Sequence, residues 1–303
     1  MMRVIFVTGL VVLICGCSRV QFAYNQLDWL IPYYVETHIE LTDSQDAYLE
    51  QRVDALLQWH CSSHLEDYAE QLRSANADFQ HGTMTEQKLR IILDQVGQYW
   101  KEIKQQASPA IAHLLYTSNE SQADELFNNF TVQYSEWVEW FEEQTDEELH
   151  LDYQENMTKE LERWFGPLQA AQQQAVVDWS TNFEPLGLEG LNARYRWQEN
   201  LRDLMENKGD IQSFNAGVEQ LFVNPEMIYT GEYDRRIEHN TKISIELVLV
   251  VAEKLDAGQR KHLASMVESV SDDFDQLACA AAKAQQQTSG LHDAVPVSYT
   301  HLR

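Results

Sequence analysis

The residues best able to do chemistry in this sequence are His60, Cys61 and His64. Two imidazoles four residues apart share one face of a helix, and a thiol adjoins that face. Such a cluster could hold Zn²⁺ or a copper ion. The glutamate general base of a His-Glu-x-x-His motif is absent. The alternative is that His60 packs in the core beside Trp59 while His64 is solvated.

Other catalytic signatures are missing from the sequence. No phosphate-binding loop, nucleophile elbow or dinucleotide fingerprint occurs. The acidic run from Glu142 to Glu148 is typical of a solvated helix face, with a divalent-cation site as the alternative. A formal net charge of −26 repels phosphate backbones and argues against nucleic-acid binding. We therefore expect a protein that is not an enzyme and carries no cofactor.

A covalent modification is indicated at Cys17. A basic start and the apolar run 4–14 are typical of a signal peptide, because roughly 20 apolar residues are needed to span a bilayer. The sequence from Leu13 to Ser18 resembles a bacterial lipobox. The resemblance implies removal of residues 1–16 and acylation of Cys17, with an ordinary signal peptide as the alternative. Because Ser18 follows the cysteine and Asp does not, it also implies anchoring to the outer membrane on the periplasmic side.

Two further cysteines, Cys61 and Cys279, remain in the mature chain. In an oxidising compartment they could form a disulfide. The alternative is that both stay buried as small hydrophobic residues.

Helical periodicity covers most of the chain after the signal-like segment. Apolar residues recur at steps of three and four, and the sequence contains only 12 Gly and 6 Pro. We predict an all-α protein, an elongated bundle of roughly eight to ten helices in a single domain over 17–287. A break or a kink is expected at Pro32, and a break is expected near Pro109. Residues 288–303 are expected to form a disordered tail, in which 297–303 resemble a translated sequencing adapter.

The longest helical stretch begins at Thr42. Thr42 and Gln45 have the spacing of a capping box, and no Gly or Pro occurs between Thr42 and His81. A single helix of about 55 Å would cover this stretch at about 1.5 Å per residue. The residues expected to face the core from this helix are Trp59, His60, Tyr68 and Leu72.

A polar residue three positions before a glutamine occurs at four predicted helix starts. The four glutamines are Gln45, Gln122, Gln172 and Gln259. Their unequal separations exclude a solenoid of fixed period. Convergent capping is one explanation, and a diverged duplication of a helical hairpin is the other.

Short motifs of aromatic and amide residues are spread along the N-terminal part of the chain. They include Tyr24-Asn25, Trp29, Gln45, Trp59-His60 and Tyr68. Together with the lipobox, these motifs resemble the DUF6279 lipoproteins, which are bacterial all-helical lipoproteins with no assigned activity. The resemblance extends more weakly over nearly the whole mature chain.

Three functional hypotheses follow from these features. The first is a non-enzymatic envelope protein that is held by its lipid anchor and presents a helical surface to envelope proteins or polymers. The second is a periplasmic chaperone or stress sensor, because the start from Leu41 to Gln45 resembles the LTxxQ stress chaperones. The third is a metal-binding protein that uses His60 and His64. The oligomeric state stays open.

Overall fold

The computed structural model describes residues 19–292, with side chains from 20 to 278. Twelve α-helices and one short 3₁₀ helix make up this part of the chain, and no strand occurs in it. The all-α prediction is confirmed, and the predicted eight to ten helices are slightly too few. The predicted signal peptide, Cys17 and residues 293–303 of the predicted tail lie outside the described residues. Residues 288–292 of that tail belong to the last helix, which continues to His292.

The helices follow one another through short connections. In chain order they are α1 Arg19–Tyr24, α2 Leu27–Glu36, α3 Asp43–Ser63, α4 Leu65–His81, α5 Glu86–Thr117, α6 Glu120–Glu143, α7 Asp146–Phe165, α8 Ala170–Asn182, α9 Gly187–Glu206, α10 Ile211–Val223, α11 Gly231–Glu253 and α12 Ala257–His292. The 3₁₀ helix Pro225–Ile228 lies between α10 and α11. Among these helices, none combines the length and the apolar character that crossing a membrane requires.

The single long helix predicted from Thr42 is wrong, because the chain breaks at His64 between α3 and α4. His64 has φ −126° and ψ −34°, outside the helical range. The hydroxyl of Ser63 donates to the carbonyl of Trp59 at 2.6 Å, and that of Ser62 donates to the carbonyl of Gln58 at 3.0 Å. Such bonds compete with the main-chain pattern and bend helices. The Ser-Ser pair is therefore the sequence signal for this break.

Neither proline ends its helix, although the sequence predicted a break or a kink at Pro32 and a break near Pro109. Pro32 is buried inside α2, and Pro109 lies inside α5. Each proline removes one backbone donor, but α2 packs along α3 and α5 packs along α10. Tertiary packing outweighs the local cost of the missing hydrogen bond. The N-terminal break falls instead at Asn25 and Gln26, between α1 and α2.

Three groups of buried side chains hold the helices together. A central cluster joins α5, α6, α9 and α10 around Leu201 and Val218. A C-terminal cluster joins α7, α8, α11 and α12 around Val176 and Val251. A smaller N-terminal cluster joins α4 to α12 through Leu65.

The four glutamine-capped helix starts meet in two pairs. Gln122 on α6 donates through Nε2 to Oε1 of Gln45 on α3 at 2.7 Å. Gln259 on α12 donates in the same way to Gln172 on α8 at 2.8 Å. All four glutamine side chains are buried, and each also accepts the backbone N–H of its own N-cap. We call these contacts the first and the second glutamine junction.

The two junctions repeat one further contact. Gln122 Nε2 also donates to the carbonyl of Glu40 at 2.7 Å, and Gln259 Nε2 donates to the carbonyl of Pro167 at 2.9 Å. Each carbonyl lies two residues before the N-cap of the partner helix. Independent capping accounts for four caps but not for two identical pairings, so the geometry favours the duplication hypothesis.

Candidate functional site: an apolar cavity

The two histidines of the proposed metal cluster have separate partners. His60 contacts two tyrosine hydroxyls, Nδ1 with Tyr24 at 3.0 Å and Nε2 with Tyr68 at 3.1 Å. His64 is buried, and its Nε2 lies 3.0 Å from Oε2 of Glu102. The rings of His60 and His64 are stacked, with centroids 5.4 Å apart. This arrangement joins α1, α3, α4 and α5 at the break after Ser63.

Burial sets the protonation of this cluster. Desolvation, together with the neighbouring His64, lowers the pKa of His60 to about 4, so the ring is neutral at pH 7. Burial likewise raises the pKa of Tyr68 to about 12 and that of Tyr24 above its ordinary value. The neutral ring of His60 therefore lies between two tyrosine hydroxyls, one at each ring nitrogen.

Cys61 is directed away from the two histidines. Its Sγ lies 2.8 Å from the carbonyl oxygen of Leu277 on α12. Among residues 20–278, no group of three or more His, Cys, Asp or Glu side chains is arranged to hold a metal ion. The side chain of Cys279 lies outside the described residues, so the Cys61–Cys279 disulfide stays a prediction.

The other residues singled out in the sequence have different environments. Trp59, His60, Tyr68 and Leu72 are half-buried. Tyr68 packs against the N-terminal cluster and Leu72 against the C-terminal cluster, as predicted for residues that face the core. Trp59 packs edge-on against His64, with ring centroids 4.7 Å apart. Asn25 and Trp29 are exposed, whereas Gln45 belongs to the first glutamine junction. Of the motif residues, Gln45, His60 and Tyr68 therefore join helices through their side-chain contacts.

A cavity of about 760 Å³ lies beside the first glutamine junction. Helices α2, α3, α5, α6, α9 and α10 contribute to its walls. Most of the wall is apolar: Ile31, Val35, Ile39, Leu41, Leu49, Val53, Leu56, Ile111, Leu114, Leu115, Leu126, Phe130, Trp197, Leu201 and Phe222. Protein interiors rarely contain voids larger than a water molecule, and ligand pockets span roughly 300–1,000 Å³. The cavity therefore has the size and lining of a ligand site.

Small side chains leave this space open. Ala107 and Ala110 line the cavity one turn apart on α5, and Ser118 lines it just after the end of that helix. The hydroxyl of Ser118 donates to the carbonyl of Leu114 at 2.7 Å and so does not extend into the space. The cavity thus results from a row of short side chains opposite the larger residues of α3 and α9.

The charges around the cavity have one sign. Arg52 and Arg194 line it and are exposed, so they lie where it meets solvent. Neither guanidinium forms an ion pair with a described carboxylate, since the ion pairs involve other arginines. Among the described lining residues none is Asp or Glu. In a chain of net charge −26, this combination favours an anionic group at the opening.

Two polar side chains are held in place on the cavity wall. His38 is buried, and its Nδ1 donates to the carbonyl of Tyr34 at 2.9 Å. Its Nε2 then accepts a hydrogen bond from the amide of Gln133 at 2.9 Å. The site thus combines an apolar body with a few fixed polar groups, which is the usual composition of a small-molecule site.

One local feature of the sequence coincides with this cavity. Leucine stands immediately before the N-cap at three of the four glutamine-capped starts, but the fourth has Ser118. The cavity itself needs residues from six helices, and no local pattern brings those residues together.

The chain is thus an all-helical protein built around two glutamine junctions and an apolar cavity. Over residues 37–234 it matches the model of a family of unknown function, DUF6279, and it belongs to that family. The first junction and most of the cavity lining lie within the matched residues, whereas Gln259 lies beyond them. No curated protein and no solved structure matches the chain.

Proposed function

We propose that this protein is a non-enzymatic, lipid-anchored envelope protein that binds the apolar part of an amphipathic anion in its cavity. The cavity carries the proposal, because its volume and its apolar lining suit a hydrocarbon chain. Arg52 and Arg194 at the opening supply the charge that would hold an anionic end. The proposed ligand class is therefore a long-chain carboxylate or a related single-chain lipid.

The envelope location is supported by the sequence. The lipobox-like segment ending at Cys17 implies an acyl anchor, and Ser18 implies the outer membrane. Mass spectrometry of the mature N-terminus tests it, because an N-terminal residue other than acylated Cys17 would contradict it.

Palmitate is a direct probe of the cavity. Calorimetric titration should give a dissociation constant in the micromolar range for the wild type, and Ala110→Leu should weaken binding at least about tenfold by filling the space. Ala77→Leu is the matched control, since Ala77 is an exposed helical alanine on α4. Equal affinity in the wild type and Ala110→Leu would refute the cavity as the site.

The arginines are tested by comparing palmitate with its uncharged methyl ester. Arg52→Gln and Arg194→Gln should weaken palmitate binding about three- to tenfold and leave the ester unaffected. Arg73→Gln is the control, because Arg73 pairs with Asp272 and Asp275 away from the cavity. If the ester binds as tightly as palmitate in the wild type, the proposed anionic recognition is wrong.

A periplasmic chaperone is the second candidate. The cavity is an apolar concavity that is open to solvent at Arg52 and Arg194, as binding of an unfolded segment would require. If this role is right, the protein should suppress aggregation of an unfolded client, and Ala110→Leu should reduce that effect while Ala77→Leu should not. Affinity capture from intact envelopes separates the candidates further, because a chaperone should retain a broad set of unfolded clients.

A further inference from the structure

Helix α2 exposes a row of large aromatic and apolar side chains. Trp29 is 54% exposed, Tyr33 58%, Tyr34 65% and Leu30 41%. They occupy positions i, i+1, i+4 and i+5 and therefore share one side of the helix. We call this set the aromatic face of α2. A contiguous group of exposed large apolar side chains is a candidate contact surface.

The opposite side of α2 already has a packing role. Pro32 is buried, Val35 packs against the central cluster, and Ile31 lines the cavity. The aromatic face is therefore not the core side of a displaced helix. Trp29 is held in place by a hydrogen bond from Nε1 to Oε1 of Gln26 at 2.7 Å, and its ring centroid lies 6.3 Å from that of Tyr33.

The residue types suit a lipid surface better than a protein core. Trp and Tyr combine an apolar ring with a polar tip, and they are enriched where a bilayer meets water. The position along the chain points the same way. Helix α1 begins at Arg19, two residues after Cys17, which places its start within about 7 Å of that cysteine. An acyl anchor on Cys17 would hold α1 and α2 at the membrane.

We propose that the aromatic face of α2 lies in the interfacial layer of a phospholipid bilayer. This inference rests on the proposed acylation of Cys17. Asp28 and Glu36 on α2, and the net charge of −26, disfavour anionic lipids, so the surface is one for zwitterionic headgroups. Ile31 and Tyr34 also line the cavity, so α2 forms the wall between the bilayer and the proposed ligand site.

The test uses the acylated protein purified from membranes and reconstituted in phosphatidylcholine vesicles that carry brominated acyl chains. These lipids should quench part of the tryptophan fluorescence of the wild type, and Trp29→Phe should abolish most of the quenched part. Trp137→Phe is the matched control, because Trp137 is 49% exposed on α6 and should leave the quenching unchanged. Quenching that is the same in the wild type and Trp29→Phe would overturn the proposal.

The mass of the N-terminal peptide from the same preparation keeps the two proposals distinguishable. An acylated protein without Trp29-dependent quenching refutes the aromatic face and leaves the anchor intact. If the peptide is not acylated, flotation of the same protein with phosphatidylcholine vesicles is decisive. Vesicle binding that falls at least about tenfold in Trp29→Ser/Tyr33→Ser, but not in Trp137→Ser/Trp140→Ser, supports the face. No difference between the wild type and the first double variant refutes it.

Discussion

The two glutamine junctions share a hydrogen-bond pattern but have different surroundings. At the second junction Gln172 is fully buried, and the residues around it belong to the closed C-terminal cluster. At the first junction Gln45 is 8% exposed, and the neighbouring residues line the cavity. The same pairing of capped helices therefore supports a filled core in one place and a hollow one in another.

Positions at equal distance from the glutamines show where the difference arises. Four positions before and after each glutamine of the first junction stand Leu41, Leu49, Ser118 and Leu126, and all four line the cavity. The residues at the same positions around the second junction are Leu168, Val176, Leu255 and Leu263, and all four belong to the C-terminal cluster. Three of the four pairs carry apolar residues on both sides, and Ser118 against Leu255 is the exception. The hollow is therefore a property of side-chain size around the first junction, and the junction itself does not impose it.

The largest expected effect is that of truncating a leucine at the two junctions. Leu263→Ala should reduce the free energy of unfolding by about 3–4 kcal/mol, because it opens a void in a closed core. Leu126→Ala should cost about 2 kcal/mol, since Leu126 already borders the cavity and has fewer neighbours to lose. Urea unfolding measures both values. Equal losses would mean that the two junctions are packed alike.

The glutamines themselves should differ in the same direction. Gln172→Leu removes the hydrogen bonds of Gln172 to the carbonyl of Val251 and to the amide of Gln259, and it leaves the N–H of Gln169 without its partner at a fully buried position. The cost should be about 2–4 kcal/mol. Gln45→Leu should cost about 1–2 kcal/mol, because Gln45 is 8% exposed and its N-cap partner Thr42 is exposed, so solvent can reach the N–H that it leaves. Gln174→Leu, at an exposed position on α8, is the control in the same unfolding measurement. If Gln45→Leu lowers the free energy of unfolding more than Gln172→Leu does, the expected order of the two junctions is wrong.

The break at His64 belongs to neither junction, and Trp59, His60 and Tyr68 around it are only half-buried. Trp59 is half-buried and packs on His64, so Trp59→Ala should cost about 1–2 kcal/mol, less than a fully enclosed tryptophan. Trp59→Phe keeps an aromatic ring at this position and should recover part of the loss. A cost of about 4 kcal/mol in thermal or urea unfolding would show that Trp59 is enclosed after all.

The smallest expected effect is the pH dependence of His60. Its pKa of about 4 in the folded protein lies below the ordinary value of 6.5, so the unfolded state binds the proton more readily. The stability that the neutral ring contributes is complete above pH 6.5 and is lost as the pH falls towards 4. The loss should be about 1 kcal/mol between pH 7 and pH 4.5, because the ring is only half-buried. The free energy of unfolding of His60→Gln should therefore vary less with pH than that of the wild type. If the free energy of unfolding of His60→Gln varies with pH as much as that of the wild type, other titratable groups cause the pH dependence.

The sequence alone determined most of the helices and where they begin and end. The limits of helix α7, Asp146–Phe165, depend on a Thr-x-x-Glu cap and a Gly-Pro stop that act within a few residues. The capping glutamines were likewise visible as a local spacing. Even the unexpected break at His64 had a local cause, in the hydroxyls of Ser62 and Ser63.

Only the tertiary structure decided how those helices are paired. Gln45 and Gln122 are 77 residues apart, and the cavity joins Ile31 to Phe222 across six helices. Whether such residues enclose a void depends on the summed volumes of side chains from distant segments, which helical periodicity does not encode. The same limit applies to His60 and His64. Their spacing was compatible with a metal site, but the tyrosine hydroxyls and the carboxylate that contact them come from α1, α4 and α5.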